Sequence, residues 1–152
     1  MDLKMARQTF FSFHYDRDVS RAYVVRNSWV TQDRIDAGFF DASLWEDAQT
    51  TGSTAVHNLI DEGLKGTSVT VVLLGLETST REYVQYEIDQ SIARGNGLFG
   101  VWINAIKNLD GATDAAGANP LPSGYPTYRW VADDGYTNFG SWVEAAAKAA
   151  GK

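Results

Sequence analysis

The sequence predicts an α/β domain, a parallel sheet with helices packed against both faces. Three observations support it. Thr67–Gly75, TSVTVVLLG, is an unbroken apolar and β-branched run of the kind buried on both faces of a sheet. Shorter strand-like runs (QTFFSFHY, GFFDAS, LFGVWIN and PTYRWVADD) alternate with stretches of helical period. The connections between them are mostly short, which favours right-handed βαβ crossovers and parallel pairing. These features give a flavodoxin-like three-layer sandwich with a five-stranded parallel sheet in the order 2-1-3-4-5. Its switch point, between the first and third strands, is where a ligand is expected.

Residues 1–7 read as a loose leader, and Gln8–Tyr15 as the first strand. Asp16–Trp29 follows as a helix capped by Asp16 or Asp18. Gly38–Ser43 is the second strand, and Leu44–Gly52 a polar loop carrying one large aromatic, Trp45. Such a loop is either an interaction surface or a flap over a site. Ser53 or Thr54 then caps a helix whose apolar face is Val56, Leu59, Ile60 and Leu64.

After the third strand, Ser79 and Glu82 have capping-box spacing at the start of a helix that Gly95 ends. Val84, Ile88 and Ile92 form its sheet-facing stripe, with Tyr83 and Glu87 flanking that stripe. Leu98–Asn104 is the fourth strand. Residues 105–125 lose all periodicity and read as a long surface loop. Pro126–Asp134 is an edge strand, and the last helix turns Phe139, Trp142, Val143 and Ala146 inward. No repeat or second domain is visible, so residues 1–152 form a single domain.

Composition narrows the function. A net charge of −6 with interspersed signs argues against a nucleic-acid partner. Cysteine is absent, and the two histidines, His14 and His57, lie far apart, so no metal site is expected. No run reaches the roughly 18 apolar residues of a membrane span. MDLKMARQ lacks the apolar core of a signal peptide, which makes the cytoplasm the expected location.

Motifs exclude more. The first strand ends Ser12-Phe13-His14-Tyr15-Asp16, where a dinucleotide or P-loop fingerprint would need glycines. A phospho-acceptor receiver would need acidic residues at Phe13-His14 and Gly75. No G-x-S-x-G elbow is present. Among the remaining polar residues, Glu87 stands early in a helix that follows the central strand, beside Tyr83. It is either a solvated helix residue or a carboxylate at the ligand-binding edge. Ser12 and His14 either satisfy local backbone or line the cleft. Asp41 either caps the following loop or faces the cleft. Trp29, Trp102, Trp130 and Trp142 are assigned to the core, and His57 to the surface.

FFSFHYDRD, GFFDASLWEDAQTTG, TSVTVVLLG and YVQYEI together resemble a TIR domain, in particular the TIR-like proteins of bacterial Thoeris anti-phage defence. The family pattern is a strand ending in Ser-Tyr, a Phe-x-Asp strand entering a mobile BB loop, and a helix carrying W-x-x-x-E. Here Ser12-Phe13, Phe39-Phe40-Asp41 with the loop to Gly52, and Tyr83-Val84-Gln85-Tyr86-Glu87 occupy those places, with Tyr for Trp. The resemblance implies an enzyme that takes NAD as substrate, with no cofactor or metal, and cleaves its nicotinamide–ribose bond. It implies Glu87 as the catalytic carboxylate, with Ser12, Phe13, His14, Asp41, Trp45 and Tyr83 lining the substrate. It further implies a homo-oligomer formed through residues 44–52 and a separate effector reached by a small-molecule signal, such as a cyclic ADP-ribose isomer. The competing expectation is a non-catalytic TIR adaptor.

Overall fold

The computed structural model describes residues 8–30, 36–37 and 42–152. The sheet is parallel throughout. It rests on β1 (Thr9–Ser12), β3 (Val69–Leu74), β4 (Gly97–Trp102) and β5 (Thr127–Arg129), with a two-residue bridge, β2 (Asp36–Ala37), beside β1. The described strands lie in the order β2-β1-β3-β4-β5. The helices are α1 (Tyr15–Val30), α2 (Ala42–Thr51), α3 (Ser53–Leu64), α4 (Glu82–Ala93) and α5 (Gly135–Ala149).

Strand alternation divides the core between the two faces. Phe11, Val71, Leu73, Phe99 and Val101 pack with Ala22 and Val25 of α1 and with Phe139, Val143 and Ala147 of α5. Val72, Leu74 and Leu98 point the other way, onto Val84 and Ile88 of α4, while Phe10 meets Ile60 and Leu64 of α3. Every residue of β3 is buried, as its composition predicted.

Other elements depart from expectation. The first strand stops at Ser12 because helix α1 already begins at Tyr15. His14, and neither Asp16 nor Asp18, caps that helix: its Nδ1 accepts the Arg17 N–H at 3.1 Å. Of the strand expected at 38–43, residues 38–41 lie outside the described residues, and Ala42 and Ser43 open α2. Residues 44–51 are therefore helix, not polar loop. Burial of Trp45 and Ala48 at helical spacing overrides a polar and β-branched local sequence.

Gly52, without a side-chain cap, precedes α3. Ser79 and Glu82 form no capping box, since Thr78–Thr80 make a 3₁₀ turn and Arg81 stands at the cap. The buried arc of α4 is Val84, Glu87, Ile88 and Ser91. At about 100° per residue, Ile92 lies at the rim of that arc and is 39% exposed. Gly95, at φ +75°, ends the helix as expected. The last strand keeps only Thr127–Arg129 of its expected length, because the chain turns back through 130–134, where Asp133 Oδ2 accepts the Arg129 N–H at 2.7 Å. Trp130 and Trp142 are buried and Trp102 half-buried, whereas the side chain of Trp29 lies outside the described residues. His57 is exposed and stacks on Tyr86 at 3.9 Å.

One close approach fixes the carboxyl end of β3. A methyl group at Gly75 would run into the buried Asp18 carboxylate on α1. Gly75→Ala is expected to lose about 1–3 kcal/mol, because that carboxylate is held and cannot step aside. Urea unfolding measures the loss, and unchanged stability would refute the contact.

Candidate active site

β1 and α4 meet at the carboxyl edge of the sheet. Strand alternation that sends Phe10 toward the helices α3 and α4 also sends Ser12 there, two residues further on. Glu87 belongs to the buried arc of α4, correcting the expectation that it only flanks that arc. Its side chain is 3% exposed, and Ser12 Oγ donates to Oε1 at 2.7 Å. Burial pushes the Glu87 carboxyl up to about 8, and the Ser12 hydrogen bond opposes this. In this closed arrangement the carboxyl is mostly protonated at neutral pH.

An aromatic cluster, the roof, gathers around Tyr83, one helical turn before Glu87. Trp45 meets Tyr83 edge-on at 4.7 Å and Tyr15 at 5.3 Å, and Tyr15 stacks on Phe13 at 5.2 Å. Tyr83 is half-buried, and its hydroxyl accepts the Tyr15 N–H at 2.9 Å, which ties α4 to the start of α1. Desolvation raises the Tyr83 phenol well above its ordinary value, so it stays neutral. Trp45, the aromatic kept out of the sequence-based core, is 1% exposed. Its indole fills the space that a helix at 42–51 opens beside Tyr83.

His14 lies next to this roof, 3% exposed, and Arg81 Nε reaches its Nε2 at 2.7 Å. Burial, and then the Arg81 charge, lower the His14 pKa and favour the neutral ring. Arg21, 1% exposed, anchors the neighbouring loop. It donates to the carbonyls of Ile106 at 2.6 Å and Ala112 at 3.1 Å, and to Asp18 at 3.0 Å and Asp114 at 2.9 Å. Arg17 pairs with Glu77 at 3.0 Å and Asp114 at 3.1 Å.

The structure thus gathers Ser12, Phe13, His14, Trp45, Tyr83 and Glu87 around one edge, while Asp41 lies outside the described residues. Sequence reasoning missed Tyr15, Arg21, Arg81 and Asp114. The Asp18–Arg21 spacing was a visible helical pairing signal, but Arg81 carried none beyond preceding a helix. Among the described residues no helix is long and apolar enough to cross a membrane. A cavity of about 460 Å³ opens at the opposite edge, between the ends of α4 and α5. Its lining has no carboxylate, cation or histidine, so it cannot supply the chemistry found at Glu87.

Residues 10–108 match the family model of the Thoeris protein ThsB, TIR-like domain. The chain belongs to this ThsB TIR-like family. The matched span holds every gathered residue, whereas Asp114 and α5 lie beyond it. A ThsB relative from Bacillus cereus (strain MSX-D12), ThsB1, provisionally named a cyclic ADP-D-ribose synthase, is 39% identical over 191 aligned positions. The alignment covers 91% of this chain and 100% of that relative.

Proposed function

We propose that this ThsB-like protein cleaves the nicotinamide–ribose bond of NAD and makes an ADP-ribose-derived signal, a cyclic isomer by analogy with the name of its relative. The observation that carries this reading is the buried Glu87 carboxyl, held by Ser12 one helical turn from Tyr83 and the Trp45 ring packed on it. Nicotinamide leaves as a neutral molecule from a cationic ring, and positive charge grows on the ribose as the bond lengthens. An ionised carboxylate beside that carbon stabilises the charge in the transition state more than in the ground state.

Entry of the cationic nicotinamide riboside beside Glu87 favours the ionised form, so the proton that burial retains leaves when substrate binds. The roof must lift for that entry. Ser12 then orients the carboxylate, Tyr83 and Trp45 offer faces to stack on the ring, Phe13 lines the nicotinamide side, and His14 lines the substrate further along the ribose. By the family resemblance alone we assign Asp41, which precedes the 42–51 helix in sequence, to the same lining. We take Asp36–Ala37 as the remnant of the second strand in the flavodoxin-like five-strand order. NAD serves as substrate and no resident cofactor or metal is called for.

The released ribosyl cation is captured by water, giving ADP-ribose, or by a nucleophile of the same molecule, giving a cyclic isomer. The signal acts on a separate effector in the cytoplasm, with no membrane or nucleic-acid partner. A homo-oligomer formed through residues 44–52 would use the exposed side chains of Asp47, Gln49, Thr50 and Thr51.

Purified protein incubated with NAD, with products followed by mass spectrometry beside Glu87→Gln, tests the proposal. Nicotinamide release by wild type alone is expected. If neither protein consumes NAD, even at high protein concentration with phage lysate added, the enzyme is ruled out and a non-catalytic TIR adaptor remains.

A further inference from the structure

The geometry points to a diphosphate-binding subsite made by His14 and Arg81; this rests on the dinucleotide reading above. Both ring nitrogens of His14 face donors: Nδ1 meets the Arg17 N–H at 3.1 Å and Nε2 meets Arg81 Nε at 2.7 Å. A neutral imidazole has one in-plane lone pair and an imidazolium none. Whichever form is present, at least one ring N–H points at another donor. The Arg17 N–H is fixed in the first turn of α1, so the lone pair belongs on Nδ1. Nε2–H then confronts Arg81, whose side chain is 40% exposed and can move.

An oxygen placed between them resolves the conflict by accepting from both. Three features make that oxygen anionic. The guanidinium offers a planar fork of donors matched to phosphate. Arg81 also stands at the N-terminal cap of α4, a 12-residue helix with no side-chain cap hydrogen bond, so the positive end of that helix adds to the local field. The opposing carboxylate, Asp16, is exposed and 4.0 Å from the guanidinium, a distance at which it competes weakly.

Position selects the ligand class. Ser12, which holds Glu87, and His14 are two residues apart, about 6–7 Å along an extended chain. That span is close to the reach of a ribose from its anomeric carbon to its 5′-phosphate. A nicotinamide ribose at Glu87 therefore carries its diphosphate to Nε2 of His14 and to Arg81. Arg17, a neighbouring cation in the first turn of α1, is already engaged by Glu77 and Asp114.

Calorimetric titration with inorganic pyrophosphate and with ADP-ribose tests the subsite in wild type, Arg81→Gln and Arg94→Gln. Arg94 is an exposed arginine at the far end of α4 and controls for loss of surface charge. Arg81→Gln is expected to weaken both ligands at least tenfold, with Arg94→Gln unchanged and with both variants keeping wild-type circular dichroism. Equal binding by Arg81→Gln and wild type overturns the subsite. So does wild type that binds no pyrophosphate at millimolar concentration, because water alone would then settle the His14–Arg81 contact. If wild type binds pyrophosphate through Arg81 yet never consumes NAD, the subsite stands and only the proposed activity falls.

Discussion

Glu87→Gln is expected to lower NAD cleavage by about a thousandfold or more while making the protein more stable at neutral pH. The first effect follows from removing the negative charge that opposes the growing cation, a contribution of roughly 4 kcal/mol to the barrier. The second follows from linkage. The folded carboxyl titrates near 8, whereas the unfolded value is 4.5. Between those values the unfolded chain has released a proton that the folded one keeps, so stability falls by about 1.4 kcal/mol per pH unit as pH rises. The amide of the variant cannot ionise and escapes that loss, although its buried N–H₂ gives part of it back.

A net gain of about 1–2 kcal/mol at pH 7.5, disappearing below pH 4.5, is expected in urea titrations across pH. For the wild type, kcat/KM should climb about tenfold per pH unit up to pH 8 and then level off, since it reports the free enzyme. A flat profile between pH 6 and 8 would show that this carboxyl is not ionising in the rate-determining species.

Arg21→Met is expected to cost about 3–5 kcal/mol of stability. The substitution keeps the stem packed but strips the donors from Ile106 O, Ala112 O, Asp114 and Asp18 at once. Asp18, fully buried with Oδ2 already lacking a hydrogen-bond partner, is then left without its cation. Burial already raises the Asp18 carboxyl, and Arg21 is the largest influence opposing the rise, ahead of His14 and Arg17. In the variant the pKa climbs further, so the deficit is smallest near pH 4 and widens as pH increases. Adding Asp18→Asn should recover a substantial part of the loss at pH 8, and failure to do so would mean that the ion pair is not the source. Thermal unfolding of the two variants at pH 4.5 and 8 measures both effects.

Much of the sheet was legible because its strands are extreme. Val69–Leu74 has no polar side chain except Thr70, so a doubly buried strand was the only consistent reading. Glu87 was legible as a position but not as a buried residue. The buried arc of α4 is set by which helix faces are covered from both sides, and the covering comes from α3 and the roof, far away in sequence. Trp45 was misplaced for the same reason. ASLWEDAQTT has weak helical propensity, and only the contact with Tyr83 and Tyr15 makes a helix with an inward indole its best arrangement. Arg21 and Asp114 stand 93 residues apart, and no local pattern links them. His14 was noticed for its place at the strand end, while its partner Arg81 follows from a 3₁₀ turn that a capping-box motif obscured.

The aromatic roof has a consequence for observing the protein at work. Trp45 is buried against two tyrosine rings, at 4.7 and 5.3 Å, and one of them, Tyr83, stands one helical turn before Glu87. If a dinucleotide enters past this cluster as proposed, wetting or restacking of that indole is expected to shift its emission wavelength and quenching as the cluster opens. On that reading the protein carries its own optical probe, and stopped-flow mixing is expected to time ligand entry separately from the proposed bond cleavage.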